Sequence, residues 1–251
     1  GLYEAVSIHR NKPNKMQKTT PIEERPDFIK YSVSGSTSIV RILNLYAGIG
    51  GNRKLWGDSF HVTAVEYDEA TAEVYRELFP NDTVIVADAH EYLLNNYKNF
   101  DFIWSSPPCP THSDIRRCGV HAGQYEALYP AMELYQEIIL LKNFAPKKTK
   151  FVVENVVPYY DPLITPDVKL HRHLYWCNFK MSKFEVTDER KHSDITGYGE
   201  VYGFDISDSK IKDKRKALRN MVDPELGLHI LNCALNVKSK VSSKQVSLFD
   251  S

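Results

Sequence analysis

Five short runs, almost wholly apolar and rich in β-branched residues, recur between Ser38 and Asn155: "SIVRILNLY", "HVTAVE", "TVIVAD", "FDFIWSS" and "KFVVEN". The segments between them have another period. "DEATAEVYRELF" sets Ala70, Val74 and Leu78 at helical spacing behind acids suited to a helix N-terminus. "PAMELYQEIILLKNF" opens on Pro130, a good first helical residue, and carries Leu134, Ile138 and Leu141 on one face. Apolar strands alternating with helices constrain the chain to a parallel sheet covered on both faces. Ligands of such sheets sit beyond the carboxyl ends of the strands. A length of 251 residues accommodates one such α/β domain with a modest extra lobe.

The flanks read differently. Residues 1–37 are polar, without sustained period, and predict a peripheral extension. The sheet pattern occupies 38–182 and closes with a strand-like "HLYWCNF". Residues 183–226 carry mixed signals, "LGLHILNCALNV" predicts a closing helix over 227–237, and 238–251 reads as a tail. No stretch is apolar for long enough to span a bilayer, and no signal peptide opens the chain. The four cysteines, Cys109, Cys118, Cys177 and Cys233, form no CxxC pair, so neither a zinc site nor a disulfide framework is expected, and a reducing cytoplasm is the simplest compartment. The formal net charge is zero, which leaves nucleic acid open as a partner, because a patch matters more than a sum. One patch stands out: "SKIKDKRKALR" sets Lys210, Lys212, Lys214, Arg215, Lys216 and Arg219 against the single acid Asp213. Taken alone it is a solvated helix face.

"NLYAGIGGN" reads as a strand, a glycine turn and the start of a helix. Gly48, Gly50 and Gly51 permit positive φ and close backbone approach to a ligand. Glu66 ends the next strand, 18 residues after Gly48, where a carboxylate can take both hydroxyls of a ribose. Tyr67 could stack on an adenine, and Asp88, ending the third strand, could accept from its amino group. Each acid would serve equally as a helix cap, but together the three strand ends point to an adenosine-containing cofactor. No GxxxxGK[ST] loop is present for a nucleoside triphosphate. A dinucleotide is disfavoured, because Arg53 stands where GxGxxG would have its third glycine.

The fourth strand runs into "SSPPCPTHS", where prolines stiffen the chain on both sides of Cys109. Glu154 and Asn155 end the fifth strand. A thiol and a carboxylate thus project from neighbouring strand ends toward one crevice.

These pieces, in this order, resemble the DNA cytosine-C5 methyltransferases of small prokaryotic or phage type. "LNLYAGIGGN" is similar to the first motif of that family, "VTAVEYDEATAEVYRELFPN" to the second and "VADA" to the third. "SSPPCPTHS" resembles its Pro-Cys nucleophile loop, "FVVENV" its Glu-Asn-Val motif, "HRHLYWCNF" the eighth and "HILNCALNV" the tenth. The resemblance implies a Rossmann-like S-adenosylmethionine-dependent methyltransferase sheet with a small target-recognition region over 183–226. It implies that S-adenosylmethionine is held by Tyr46, Ala47, Gly48, Gly50, Gly51, Glu66, Tyr67, Asp88, Ala89, Pro107 and Asn232. Cys109 becomes the nucleophile that adds to carbon 6 of cytosine, Glu154 the partner of N3, and Asn155 the support of that loop. The contact to the cytosine O2 falls to Arg172 or His173, because the motif reads His-Arg-His here. The sequence departs from the family pattern at Tyr46 for Phe, Pro110 for Gln and Leu231 for Gly.

The implied substrate is double-stranded DNA with its target base flipped, handled by a monomer. The loop from Pro110 to Gln124 would clamp the base, with Arg116 and Arg117 meeting phosphate or the orphan base and Gly119 and Gly123 giving mobility. Within such an enzyme Lys212, Lys214, Arg215 and Lys216 become candidate phosphate contacts. The tail peptide "QVSLF", with Gln245, Leu248 and Phe249, resembles the peptide by which bacterial replication and repair proteins dock on the sliding clamp. Two other readings stay open: a tRNA cytosine-C5 methyltransferase, and a DNA- or clamp-binding homologue without catalysis.

Overall fold

A computed structural model describes residues 39–184 and 203–237. The N-terminal extension, the middle of the target-recognition region and the clamp-like peptide lie outside the described residues.

The strands are β1 (Arg41–Leu45), β2 (His61–Glu66), β3 (Thr83–Val86), β4 (Phe102–Ser105), β5 (Lys150–Val156), β6 (Val168–Leu170) and β7 (His173–Cys177). They form one sheet in the order β3-β2-β1-β4-β5-β7-β6. The first five are parallel to their neighbours; β7 runs antiparallel to β5 and β6 to β7. The expected all-parallel sheet is therefore extended by an antiparallel edge, and β6 carried no readable sequence signal because it is only three residues long. Strand order reverses between β1 and β4, the switch point at which open α/β sheets bind ligands.

The helices are α1 (Glu69–Leu78), α2 (Ala89–Asn96), α3 (Asp114–His121), α4 (Glu133–Phe144), α5 (Lys214–Arg219) and α6 (Pro224–Leu235). Asp68, Asp88 and Asp223 cap α1, α2 and α6, each accepting from a backbone N–H of the first turn. Pro224 occupies the first turn of α6, so the closing helix starts ahead of the expected boundary at 227. Conversely, α4 begins at Glu133 and not at Pro130. The amide of Ala131 donates to the Thr111 hydroxyl (2.9 Å), which ties the stretch after Pro130 to the loop beyond β4 instead of to a first helical turn.

Alternate strand residues serve opposite faces. On one, Leu43, Leu45, Ile103, Phe151 and Val153 pack with Leu93 of α2 and with Leu134, Ile138 and Leu141 of α4. On the other, Ile42, Val62, Phe102, Trp104 and Val152 meet Ile230 and Leu231 of α6. Burying one such Leu or Ile contributes about 1.5–3 kcal/mol. α1 and the segment around Phe204 and Ile206 form a smaller cluster with Ile49 and the apolar side of α5.

Candidate active site

The turn after β1 reverses the backbone twice. Tyr46 (φ 54°), Gly48 (φ 56°) and Gly50 (φ 84°) all have positive φ. Its glycines divide the work. A Cβ on Gly48 would meet nothing within 4 Å, whereas one on Gly50 would lie 2.2 Å from the Phe79 ring and one on Gly51 2.0 Å from Met221. Gly48 faces open space, whereas at Gly50 and Gly51 packing also demands glycine, because α1 and the Met221–Val222 segment lie against the turn. Ala47 is buried behind it.

Beside the turn, Glu66 accepts from the amide of Gly48 through Oε2 (2.9 Å) and from that of Asp68 through Oε1 (3.0 Å). Each oxygen keeps capacity for a second donor, so the carboxylate is oriented before any hydroxyl arrives. The Tyr67 side chain follows and is 78% exposed. Asp88 accepts from the Glu91 amide through Oδ1 (2.9 Å), the cap that was its plain alternative, and Ala89 begins α2 with its methyl in the core.

Across the switch point, the loop after β4 is pinned on several sides. The Pro107 carbonyl accepts from Asn155 Nδ2 (2.9 Å). The Cys109 carbonyl accepts from the amides of His112 and Ser113 (both 3.0 Å). Tyr159 donates its amide to the His112 carbonyl (3.2 Å), Ser113 bridges to Pro158, and His112 Nδ1 meets the Tyr160 hydroxyl at 2.5 Å. Segments 107–113 and 155–160 therefore interlock, and Cys109 sits half-buried in a loop with little freedom. Burial pushes its thiol above the ordinary range, Glu154 pushes it further, and Lys216 and Arg219 of α5 pull it partly back.

Glu154 is nearly buried and lies 3.4 Å (Oε1) from His173 Nε2. Strand register explains the pairing, since β7 starts opposite the end of β5. Arg172 is exposed, in the turn before His173, and its carbonyl accepts from the Val157 amide (2.8 Å). Asn232 is half-buried on α6.

The Pro110–Gln124 segment is not all loop, for it contains α3. Gly119 is buried within that helix, where a Cβ would lie 2.4 Å from the Tyr125 ring, so its smallness serves packing. Gly123, with φ 70° and open surroundings, is the turn glycine. Arg116 lies over the Tyr125 ring (5.2 Å) and Arg117 over that of Tyr159 (5.6 Å), beside a cavity of about 200 Å³ lined also by Pro110, Val120 and Leu128. In the basic run, Lys212, Arg215, Lys216 and Arg219 are exposed. Lys210 pairs with Glu73 (3.0 Å), and the Lys214 ammonium donates to the Ser207 carbonyl, so these two are engaged within the fold.

Sequence reading missed four buried polar side chains. His112 is buried, and burial holds its imidazole below the ordinary value. Asn44 and Asn52 pair through their amides (2.7 and 3.2 Å) under the glycine turn. Glu137 is buried on α4, and its signal was readable: it stands three residues after Leu134, on the helix's own apolar face.

Sheet order and crevice give the molecule a Rossmann-like α/β fold with its ligand crevice at the switch point between β1 and β4. Residues 40–161 match the family model of the C-5 cytosine-specific DNA methylases. No curated protein matches it. Among solved structures, it is similar to a SAM-dependent methyltransferase from Agrobacterium tumefaciens (13% identity over 50% of this chain and 41% of that one, TM-score 0.35). It is also similar to the methyltransferase EhMeth of Entamoeba histolytica (14%, 64% and 60%, 0.38) and to protein PH0226 of Pyrococcus horikoshii (22%, 47% and 50%, 0.34). The chain spans less than half the length of the Agrobacterium protein. The open Gly48, the pre-oriented Glu66 and the exposed Tyr67 fit the adenosine of S-adenosylmethionine. Among the described residues no His/Cys/Asp/Glu cluster suits a metal, and no helix is long and apolar enough to cross a membrane.

Proposed function

We propose that the protein methylates carbon 5 of a flipped cytosine in double-stranded DNA through a covalent bond to Cys109. The observation that carries this reading is the interlock of the Cys109 loop with the Glu154–Asn155 strand end, centred on the Asn155–Pro107 bond. That bond ties the loop that carries Cys109 to the strand end that carries Glu154.

The Cys109 thiolate adds to carbon 6 of cytosine, and the ring electrons move to carbon 5. Glu154 steadies N3 through a hydrogen bond or proton, with His173 beside it as orienter. S-adenosylmethionine, when bound, supplies the methyl group to the electron-rich carbon 5. Loss of the carbon-5 proton to a base then returns electrons to the ring and expels the Cys109 thiolate. Since burial and Glu154 keep the thiol protonated in the free protein, the incoming base must complete its activation. Arg116 and Arg117, with the exposed Lys212, Arg215 and Lys216, would meet phosphates while the base is out of the stack, a step that costs a few kcal/mol.

DNA containing 5-fluorocytosine tests the chemistry, because fluorine blocks the final loss of the carbon-5 proton. The full chain should form an adduct with this DNA stable to denaturant, and Cys109→Ser should form none. Absence of adduct from the natural chain, or methyl transfer to tRNA in preference to DNA, defeats the reading. Bisulfite sequencing of unsubstituted DNA treated with the chain and S-adenosylmethionine gives the recognised site, which the small recognition region leads us to expect is short. A motif of six or more specified bases counts against that expectation.

The peptide Gln245–Phe249 fits a docking role on a bacterial sliding clamp, with Leu248 and Phe249 filling an apolar pocket. Replacing both by Ala should abolish binding of the chain to immobilised clamp; unchanged binding disposes of the idea.

A further inference from the structure

Glu137 enters the core of α4 with no exposed surface. An acid there requires partners, since an unpaired buried carboxyl is strongly disfavoured. Three donors converge on its two oxygens. The Tyr46 hydroxyl donates to Oε1 (2.6 Å), Ser105 Oγ donates to Oε2 (2.5 Å), and His90 Nδ1 stands 3.0 Å from Oε1. A carboxylate satisfies all three, because it is acceptor-only on both oxygens; an amide does not.

The donors come from three elements. Tyr46 is the first residue of the turn after β1, and Ser105 is the last residue of β4, four residues before Cys109. Leu45 and Ser105 are partners in the sheet register, so Glu137 reaches across the switch point itself. His90 lies in the first turn of α2. Tyr46 also carries a left-handed backbone (φ 54°) without being glycine, a conformation that costs about 1–3 kcal/mol and persists only where its surroundings enforce it. The bond to Glu137 is such an enforcement.

Resting on the methyltransferase reading above, we propose that Glu137 is a positioning residue: it locks the cofactor turn at Tyr46 to the base of the nucleophile strand at Ser105, and His90 on α2 tunes that lock by its proton. Burial and Glu137 together hold the Tyr46 hydroxyl far above its ordinary range, so it stays a donor at every working pH. His90 is raised first by its bond to Glu137, against burial, with Glu137, Glu133 and Asp88 adding attraction. It is charged below its raised value, where the lock is complete, and loses the charge as pH rises through it. The ordinary imidazole value is about 6.5, so the change falls above that.

The test measures binding of S-adenosylhomocysteine to the full chain across pH by equilibrium dialysis, alongside the 5-fluorocytosine adduct. The natural chain should bind more weakly as pH rises through the His90 value. Glu137→Gln puts an amide NH₂ against at least one donor, so affinity should fall about tenfold and the pH dependence should flatten. His90→Gln should flatten the profile too. Tyr46→Phe removes only the hydroxyl, should weaken binding likewise, and decides the matter if Glu137→Gln does not fold. A merely structural Glu137 would alter stability and leave the shape of the pH profile intact. If the natural chain binds S-adenosylhomocysteine and forms the adduct while Tyr46→Phe and His90→Gln match it at every pH, the lock is wrong and the methyltransferase reading stands. If the natural chain does neither, that reading falls and the lock with it.

Discussion

Arg53 stands where a dinucleotide-binding turn would carry a glycine, and its side chain is only 2% exposed. It is held by Asp82 in a two-pronged pair (2.8 and 3.0 Å), by Asp58 (3.1 Å) and by the Phe79 ring beneath it. Removing one member of a buried pair strands the other, at a cost of about 3–5 kcal/mol. Arg53→Met should therefore lose most of that in urea unfolding, whereas changing Arg53 and Asp82 together to apolar residues should lose much less. The sequence showed only that this position was not glycine. It could not show the partner, because Asp82 lies 29 residues away and meets Arg53 only after α1 folds back on the turn. Glu154 and Cys109 were more legible in position, since one lies near the end of β5 and the other in the loop beyond β4, and strand ends follow from the apolar pattern. Lys214 looked like its neighbours in the basic run, and only the fold reveals its bond to Ser207.

At the scale of elements, legibility followed length and period. β1, β2, β4 and β5 were readable because a strand buried on both faces leaves an unbroken apolar run. α3 was not, because half of its eight residues are charged or histidine and its place after a proline-rich loop suggested irregular chain. The glycine turn was recognised, but its internal division was not, since the demand on Gly51 comes from Met221 and Val222, far along the chain. A methyl at Gly51 would lie 2.3 Å from the Val222 carbonyl, and backbone yields less readily than side chain. Gly51→Ala should cost about 1–3 kcal/mol by overpacking, seen as a fall in Tm of a few degrees. It should also weaken S-adenosylhomocysteine binding, because relief of the clash must move the turn. Unchanged Tm would show that the 221–222 segment is free to retreat.

At the scale of the whole molecule, β1 pairs with β2 on one side and with β4 on the other, so Leu43 sits opposite Thr63 and Ile103. The face of the sheet bearing Ile42, Phe102 and Trp104 is covered by α6, which begins only at Pro224. The central strand is thus made well before its cover. At about 5–20 residues per second of synthesis, the interval between Trp104 and the end of α6 is on the order of 10 s. For that interval the face bearing Phe102 and Trp104 has Trp56 as a neighbour but lacks the cover that Ile230 and Leu231 of α6 bring. Its vulnerability to association with other chains lies in the order in which the ribosome delivers the two sides of one core.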